Sequence, residues 1–355
     1  MDYPLDSVKL GASVHEKGLL MSQIKSETGH PQPEEIFKIA MQGKKAAEAL
    51  KRIARDEKIK AYIQNERPVH DALLGAALRF IGGENLDECL KAAKKLNSSG
   101  HAATIDYMGE STRDEKTASE ATREFLRVIE AISRQGIDSS VSLDVSHVGL
   151  LVDQELAFMN ASKLAGTARE AGLEVMVSME GSERTDEVLT LYRRLCEHFD
   201  NVGVTLQAYL YRTPSDVREI FELPGKLRLV KGAFEEPGET ALSRGGQLDD
   251  IYCSLVKQAI SAGHSISVAT HDPDILKQVH EYVKDSALET EHIEFEMLKG
   301  VETERLEKMR GLGYRTRVYL PYGLEWYLYL CHRLAEHPPN IYQAVSDAVS
   351  DSYSS

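Results

Sequence analysis

The sequence of 355 residues has few cysteines, no long apolar run and less basic than acidic charge, and each shortage narrows what it can do. Cys89, Cys196, Cys253 and Cys331 stand far apart with no CxxC pair, so the chain offers no disulfide framework. No hydrophobic run approaches the length of a secretory signal or a membrane span, and a reduced, cytoplasmic protein without an integral membrane segment is expected. With 42 basic against 56 acidic side chains the formal net charge is −14. That sign repels a phosphate backbone and an anionic membrane surface, so nucleic acid is not an expected partner. No paired-histidine ligand spacing is present either; although Asp144, His147, His271 and Asp272 fall near strand ends, no metal site is expected.

What the sequence does have is a repeat of short β-branched runs and longer amphipathic ones. Residues 1–100 carry helical patterns at 33–54, 69–81 and 86–96 without clear strands, and form an expected N-terminal helical region. From residue 101 to 337, strand-like runs at 102–107, 139–145, 173–178, 202–208, 226–231, 265–269, 292–297 and 314–320 alternate with helices charged on one face. Eight βα units in succession favour closure into a (βα)8 barrel. The rival, an open doubly wound sheet, lacks its GxGxxG fingerprint here. Residues 338–355 open on Pro338-Pro339 and read as a C-terminal tail with a short helix.

A βα barrel places its reactive groups at the carboxyl ends of its strands. That rule selects Asp106, Glu110, Asp144, His147, Ser178, Glu180, Gln207, Arg228, Lys231, Thr270, His271, Glu296 and Tyr319. Any one of them can equally be a helix cap or a rim charge. In RLVKGAF, residues 228–234, two cations precede a glycine, so backbone N–H groups and Lys231 can face an electron-rich group. Tyr329, His332, Arg333 and Glu336 share one face of the last helix, which follows the eighth strand closely enough to fold over the barrel mouth.

RLVKGAF, ATHD at 269–272, EFEML at 294–298, YLPYG at 319–323 and YLCHRLAE at 329–336 occur in the order seen in proline dehydrogenases. With RFIGGENLDECLKAAKKLNSSGHAATIDYMGE at 79–110, they make the chain resemble that family from residue 79 to residue 336. The resemblance implies an FAD-dependent barrel that takes a hydride from the carbon beside an amine and passes electrons to quinone, oxygen or another acceptor. It implies that Gln207, Arg228, Val230, Gly232 and Ala233 lie along the flavin ring and ribityl chain, and Thr270, His271 and Asp272 near the phosphates or adenosine. Lys231 and Glu296 are expected beside them. Glu110, Asp144, Ser178, Tyr319, Tyr329, His332 and Arg333 are expected to face the substrate.

The substrate side departs from the family pattern. Where the family reads VKLTQLGL the chain has SLDVSHVGL, so a lysine is replaced by Asp144; where it reads IDMEDS the chain has VSMEGS, with Ser178 and Gly181. Of two consecutive arginines on the last helix, His332 replaces the first and Arg333 remains. At 4 Å and an effective dielectric near 20, one charge pair is worth roughly 4 kcal/mol, enough to redirect the recognition of a small amino acid. The expectation is an amine-oxidising flavoenzyme that transfers a hydride from a C–N or N–N bond of a small metabolite other than proline to FAD, in specialised metabolism. Proline dehydrogenase making 1-pyrroline-5-carboxylate, and a flavin-binding protein without turnover, are the alternatives.

Overall fold

The computed structural model describes residues 56–336 and most of residues 45–54. Expectations for residues 1–44 and for the C-terminal tail lie outside the described residues. Among the described residues, helical residues within 45–54 are followed by three helices: α1 (Glu57–Asn65), α2 (Arg67–Ala77) and α3 (Leu86–Ser98). Eight parallel strands then pair in sequential order into a closed barrel, as the repeat of βα units predicts. They are β1 (Ala102–Tyr107), β2 (Ser139–Leu143), β3 (Val175–Val177), β4 (Val202–Gln207), β5 (Leu227–Val230), β6 (Ile266–Ala269), β7 (Ile293–Leu298) and β8 (Arg315–Tyr322). The closing pair runs from Ala102 against Arg317 to Tyr107 against Tyr322.

Each expected strand is present, with ends moved by a few residues. The helices between them are α4 (Glu115–Gln135), α5 (Gln154–Glu170), α6 (Thr185–Cys196), α7 (Thr213–Ile220), α8 (Gly246–Ser261), α9 (Pro273–Asp285) and α10 (Thr303–Gly311). Several start on an aspartate that satisfies otherwise orphaned N–H groups: Asp114 accepts from Thr117 and Asp153 from Leu156, both at 2.9 Å. Among the described residues no helix is long and apolar enough to cross a membrane.

Two faces of the strands do different work. Ile105, Leu143, Val177, Val204, Leu229, Val268, Phe295 and Leu320 are fully buried against the surrounding helices, and this ring is the main hydrophobic core. The alternate positions hold Thr104, Ser140, Ser142, Thr205, Arg228, Ser267, Glu294, Glu296 and Arg317, buried and polar. Burial of such groups is tolerable only where they satisfy one another. Near the amino ends of the strands, Glu294 receives Arg317 at 2.9 Å and Lys226 at 3.3 Å. One layer up, Glu296 accepts from Thr104 and Ser267, both at 2.8 Å.

The helices outside the repeat divide by packing. Leu86, Cys89, Leu90 and Ala93 of α3 join the main core, where α3 packs on β1 and β8. That is the place the helix after β8 would otherwise take. Helix α11 (Trp326–Glu336) instead packs on α2. Its Trp326, Tyr327, Leu330 and Cys331 form a second apolar cluster with Ile63, Ala77, Phe80, Ile81 and Met108.

Candidate active site at the barrel mouth

The carboxyl ends of β1, β2, β3, β5 and β8 converge on one polar constellation. Tyr319 donates its hydroxyl to Asp106 Oδ2 at 2.6 Å, and Ser142 and Ser178 hydroxyls meet at 2.9 Å. Beneath them Arg228 donates from Nε to Thr205 Oγ1 at 2.9 Å and from Nη2 to Ser142 and Ser178 at 3.1 and 3.3 Å. Its guanidinium lies 5.3 Å from the centre of the Tyr319 ring and 3.6 Å from Glu296. One nitrogen, Nη1, is buried with no hydrogen bond. A guanidinium pre-oriented by three hydroxyls, with Nη1 ion-paired to Glu296 but not hydrogen-bonded, keeps donor capacity for a ligand oxygen or nitrogen.

The electrostatics of this mouth revise the reading of Asp144 as an added negative charge. Burial, then the neighbouring carboxylates Asp106 and Glu180, hold the Asp144 carboxyl well above the usual carboxylate range. Asp106 is pushed up to about 6 by burial, with the Tyr319 hydrogen bond and the Arg228 charge pulling the other way. The Asp106 carboxylate thus disfavours a second negative charge on Asp144, and a cation between them would favour its ionisation. Glu110, exposed on the loop after β1, adds to the field that raises Asp144 and Glu180.

The groups expected around a flavin are distributed unevenly. Gln207 is buried and donates to the Glu180 carbonyl at 2.9 Å. Val230 is half-buried at the end of β5 and Ala233 is exposed. Gly232 takes φ +120, and a Cβ there would meet the Tyr209 ring, so only glycine lets the chain pass that ring. Lys231 does not point an unpaired charge into the mouth: it bonds Asp249 at 2.5 Å and Asp272 at 2.7 Å. Asp272 is also the N-cap of α9, accepting from Asp274 and Ile275, so local helix chemistry accounts for it. Thr270 accepts from the Asp272 N–H at 3.2 Å. Glu296 lies a layer below the mouth with both oxygens accepting from Thr104 and Ser267, which gives it a place in the barrel interior.

His271 keeps its Nε2 as acceptor from the Leu298 N–H at 3.3 Å, which assigns the ring proton to Nδ1; that atom is buried without a hydrogen bond. Burial, then Arg333 and Arg305, lower its pKa to about 4, so the ring is neutral at pH 7. The Arg333 charge on α11 contributes to lowering His271, and the Asp106 charge to raising Tyr329, so the helix and the strand ends share one electrostatic environment. Arg333 stacks 5.0 Å from the Tyr329 ring centre and donates to Glu336 at 2.6 Å. The Tyr329 hydroxyl is buried with no hydrogen bond, and its pKa is pushed up to about 12 by burial. His332 is half-buried on the same helix.

Sequence reasoning gave no role to Ser142 or Thr205, which orient Arg228, nor to the acceptor function of Asp106. The available signal was alternation: each is an inward polar position in a strand whose other face is apolar.

A family profile described as proline dehydrogenase matches residues 89–340. Proline dehydrogenase 1 of Bacillus subtilis subsp. natto is 36% identical over 264 residues, covering 74% of this chain and 87% of the relative. Proline dehydrogenase of Deinococcus radiodurans is 34% identical over 282 residues, covering 78% and 91%. Proline utilization A from Bdellovibrio bacteriovorus, crystallised after inactivation by N-propargylglycine, superimposes with a TM-score of 0.72 at 20% identity, covering 91% of this chain and 41% of that longer one. A profile over most of the barrel, relatives matched along nearly their whole length and a shared closed barrel lead to one conclusion: the chain belongs to the proline dehydrogenase family.

Proposed function

We propose that the chain is an FAD-dependent dehydrogenase that oxidises a small amine other than proline, with quinone, oxygen or another acceptor taking the electrons onward. The observation that carries the substrate reading is the presence of two carboxyl groups, Asp106 and Asp144, at the mouth. The two stand at neighbouring strand ends, and no lysine figures among the groups that shift either one. An ammonium entering the mouth supplies the cation that lets Asp144 ionise; a carboxylate beside the amine does not. Asp144 releases its own proton to solvent as the ammonium binds, and the resulting carboxylate accepts one proton from the ammonium, freeing the nitrogen lone pair that assists hydride loss from the adjacent carbon. Tyr319 holds Asp106 in place, and Arg333, Tyr329 and His332 close the opposite side.

The flavin part of the reading is supported by two buried nitrogens without a hydrogen bond, Arg228 Nη1 within β5 and His271 Nδ1 just after β6, the first 3.6 Å from Glu296. Together with Gln207, Val230, Gly232, Ala233 and Thr270 they would hold FAD, which when bound supplies the hydride acceptor. Proline itself is the second reading, favoured by the names of the relatives. In that case Asp144 stays protonated and donates a hydrogen bond to the substrate carboxylate.

Anaerobic mixing of the purified, FAD-loaded protein with pyrrolidine or with L-proline separates the readings. Loss of oxidised flavin absorbance with pyrrolidine and little with L-proline is expected. Rapid bleaching by L-proline overturns the substrate assignment, and a colourless protein that takes up no FAD overturns the cofactor.

A further inference from the structure

Helix α11 carries Tyr329, His332 and Arg333, yet the barrel's main core does not hold it. Its start is fixed from the N-terminal side of the chain. The segment between α2 and α3 is tied to the exit of β8 by backbone bonds on both sides of Gly83: Gly82 N–H donates to the Pro321 carbonyl at 2.7 Å, and Gly323 N–H to the Gly83 carbonyl at 3.1 Å. The next residue, Glu84, has its own N–H held by Glu88 at 2.9 Å. Its Oε1 accepts the Trp326 indole N–H at 2.8 Å and lies 3.1 Å from His70 Nε2, while the His70 ring stands edge-on to the indole at 5.4 Å. Lys60 of α1 reaches Glu325, the residue before Trp326, at 2.6 Å.

An indole N–H is a single fixed donor, so its acceptor sets the rotation of a ring that is 3% exposed. Trp326 is the first residue of α11, and Arg333 lies seven residues on, two turns along the same side of the helix. A twist at Trp326 is therefore transmitted to Arg333. We propose that Glu84 is a positioning residue for the site: by accepting the indole N–H of Trp326, with His70 at its side, it fixes α11 and so the placement of Tyr329, His332 and Arg333 over the barrel mouth.

The mouth as the place of substrate binding rests on the proposed function; the hold of Glu84 on α11 does not. Trp326 is the only tryptophan in the sequence, so its fluorescence reports on this joint alone. The experiment compares full-length wild type, Glu84→Gln, Glu84→Ala and Trp326→Phe. Hydrogen exchange is followed in peptides spanning 324–336 and in the barrel strands, and acrylamide quenching of Trp326 in the tryptophan-containing proteins. Turnover of pyrrolidine and L-proline is measured in all four. For Glu84→Ala we expect exchange at least tenfold faster in 324–336 with the strands unchanged, and stronger quenching. Glu84→Gln, whose amide oxygen still accepts, should restore both. KM for whichever amine the wild type turns over should rise several-fold in Glu84→Ala and Trp326→Phe, with kcat within twofold. Unchanged exchange in 324–336, faster exchange spread evenly through the barrel, or no rescue by glutamine would overturn the positioning role. If neither amine is turned over, the exchange and quenching still decide it, and only the substrate assignment fails.

Discussion

At the scale of single residues, the environment decides what a side chain contributes, and Asp144 and Asp272 mark the two extremes. Asp144 has a pKa raised by burial and by three neighbouring acids, Asp106, Glu180 and Glu110. The unfolded chain releases this proton above about pH 4 while the folded one keeps it, so stability is lost as pH rises above that value, by roughly 1.4 kcal/mol per pH unit until the folded pKa is reached. Asp144→Asn should therefore melt higher than wild type at pH 7, with the advantage shrinking toward pH 4. Thermal melts across that range check it, and a constant difference would contradict the shift. Asp272 was legible from sequence as a polar strand-end residue, but whether it faces a ligand or caps a helix depends on where Lys231 and α9 lie. It does the second. Asparagine caps as well as aspartate but leaves Lys231 to Asp249 alone, so Asp272→Asn should cost less than Asp272→Ala, which loses the cap as well, about 1 kcal/mol more in denaturant unfolding.

At the scale of elements, the strands were readable because alternating apolar residues repeat at period two, and the lid helix because four polar residues share one face. Which residues lie in which layer of the barrel was not readable, since layers are set by the stagger of neighbouring strands. Glu294 and Glu296 are two residues apart on β7, and the register puts the first among three cations and the second beneath the mouth. Despite its burial, Arg317 first and then Lys226 hold Glu294 at a pKa of about 2. Its contribution is present above the ordinary glutamate pKa of about 4.3 and is lost as pH falls through the folded value. Glu294→Gln leaves buried cations short of a counter-charge and should destabilise by roughly 3–5 kcal/mol at pH 7. The deficit against wild type should narrow between about pH 4 and pH 2, as followed by chemical unfolding.

For the whole molecule, α3 fills the gap beside β8 and β1, while α1 and α2 support α11. Deleting residues 1–78 should keep the circular-dichroism signature of the barrel but lower its melting temperature and shift Trp326 emission to the red. An unchanged emission spectrum would show that α11 stands without that support. The sequence by itself determined the closed barrel, its order of strands, the family and the short list of strand-end groups, because periodicity and motif order are local properties of a chain. Only the tertiary structure decided that Asp106 stands close enough to raise Asp144, that Lys231 pairs with Asp249 and Asp272, and that Glu84 accepts from Trp326 across 242 residues. Those outcomes depend on distance and desolvation between segments remote in sequence, and a field that falls with separation cannot be read until the separations exist.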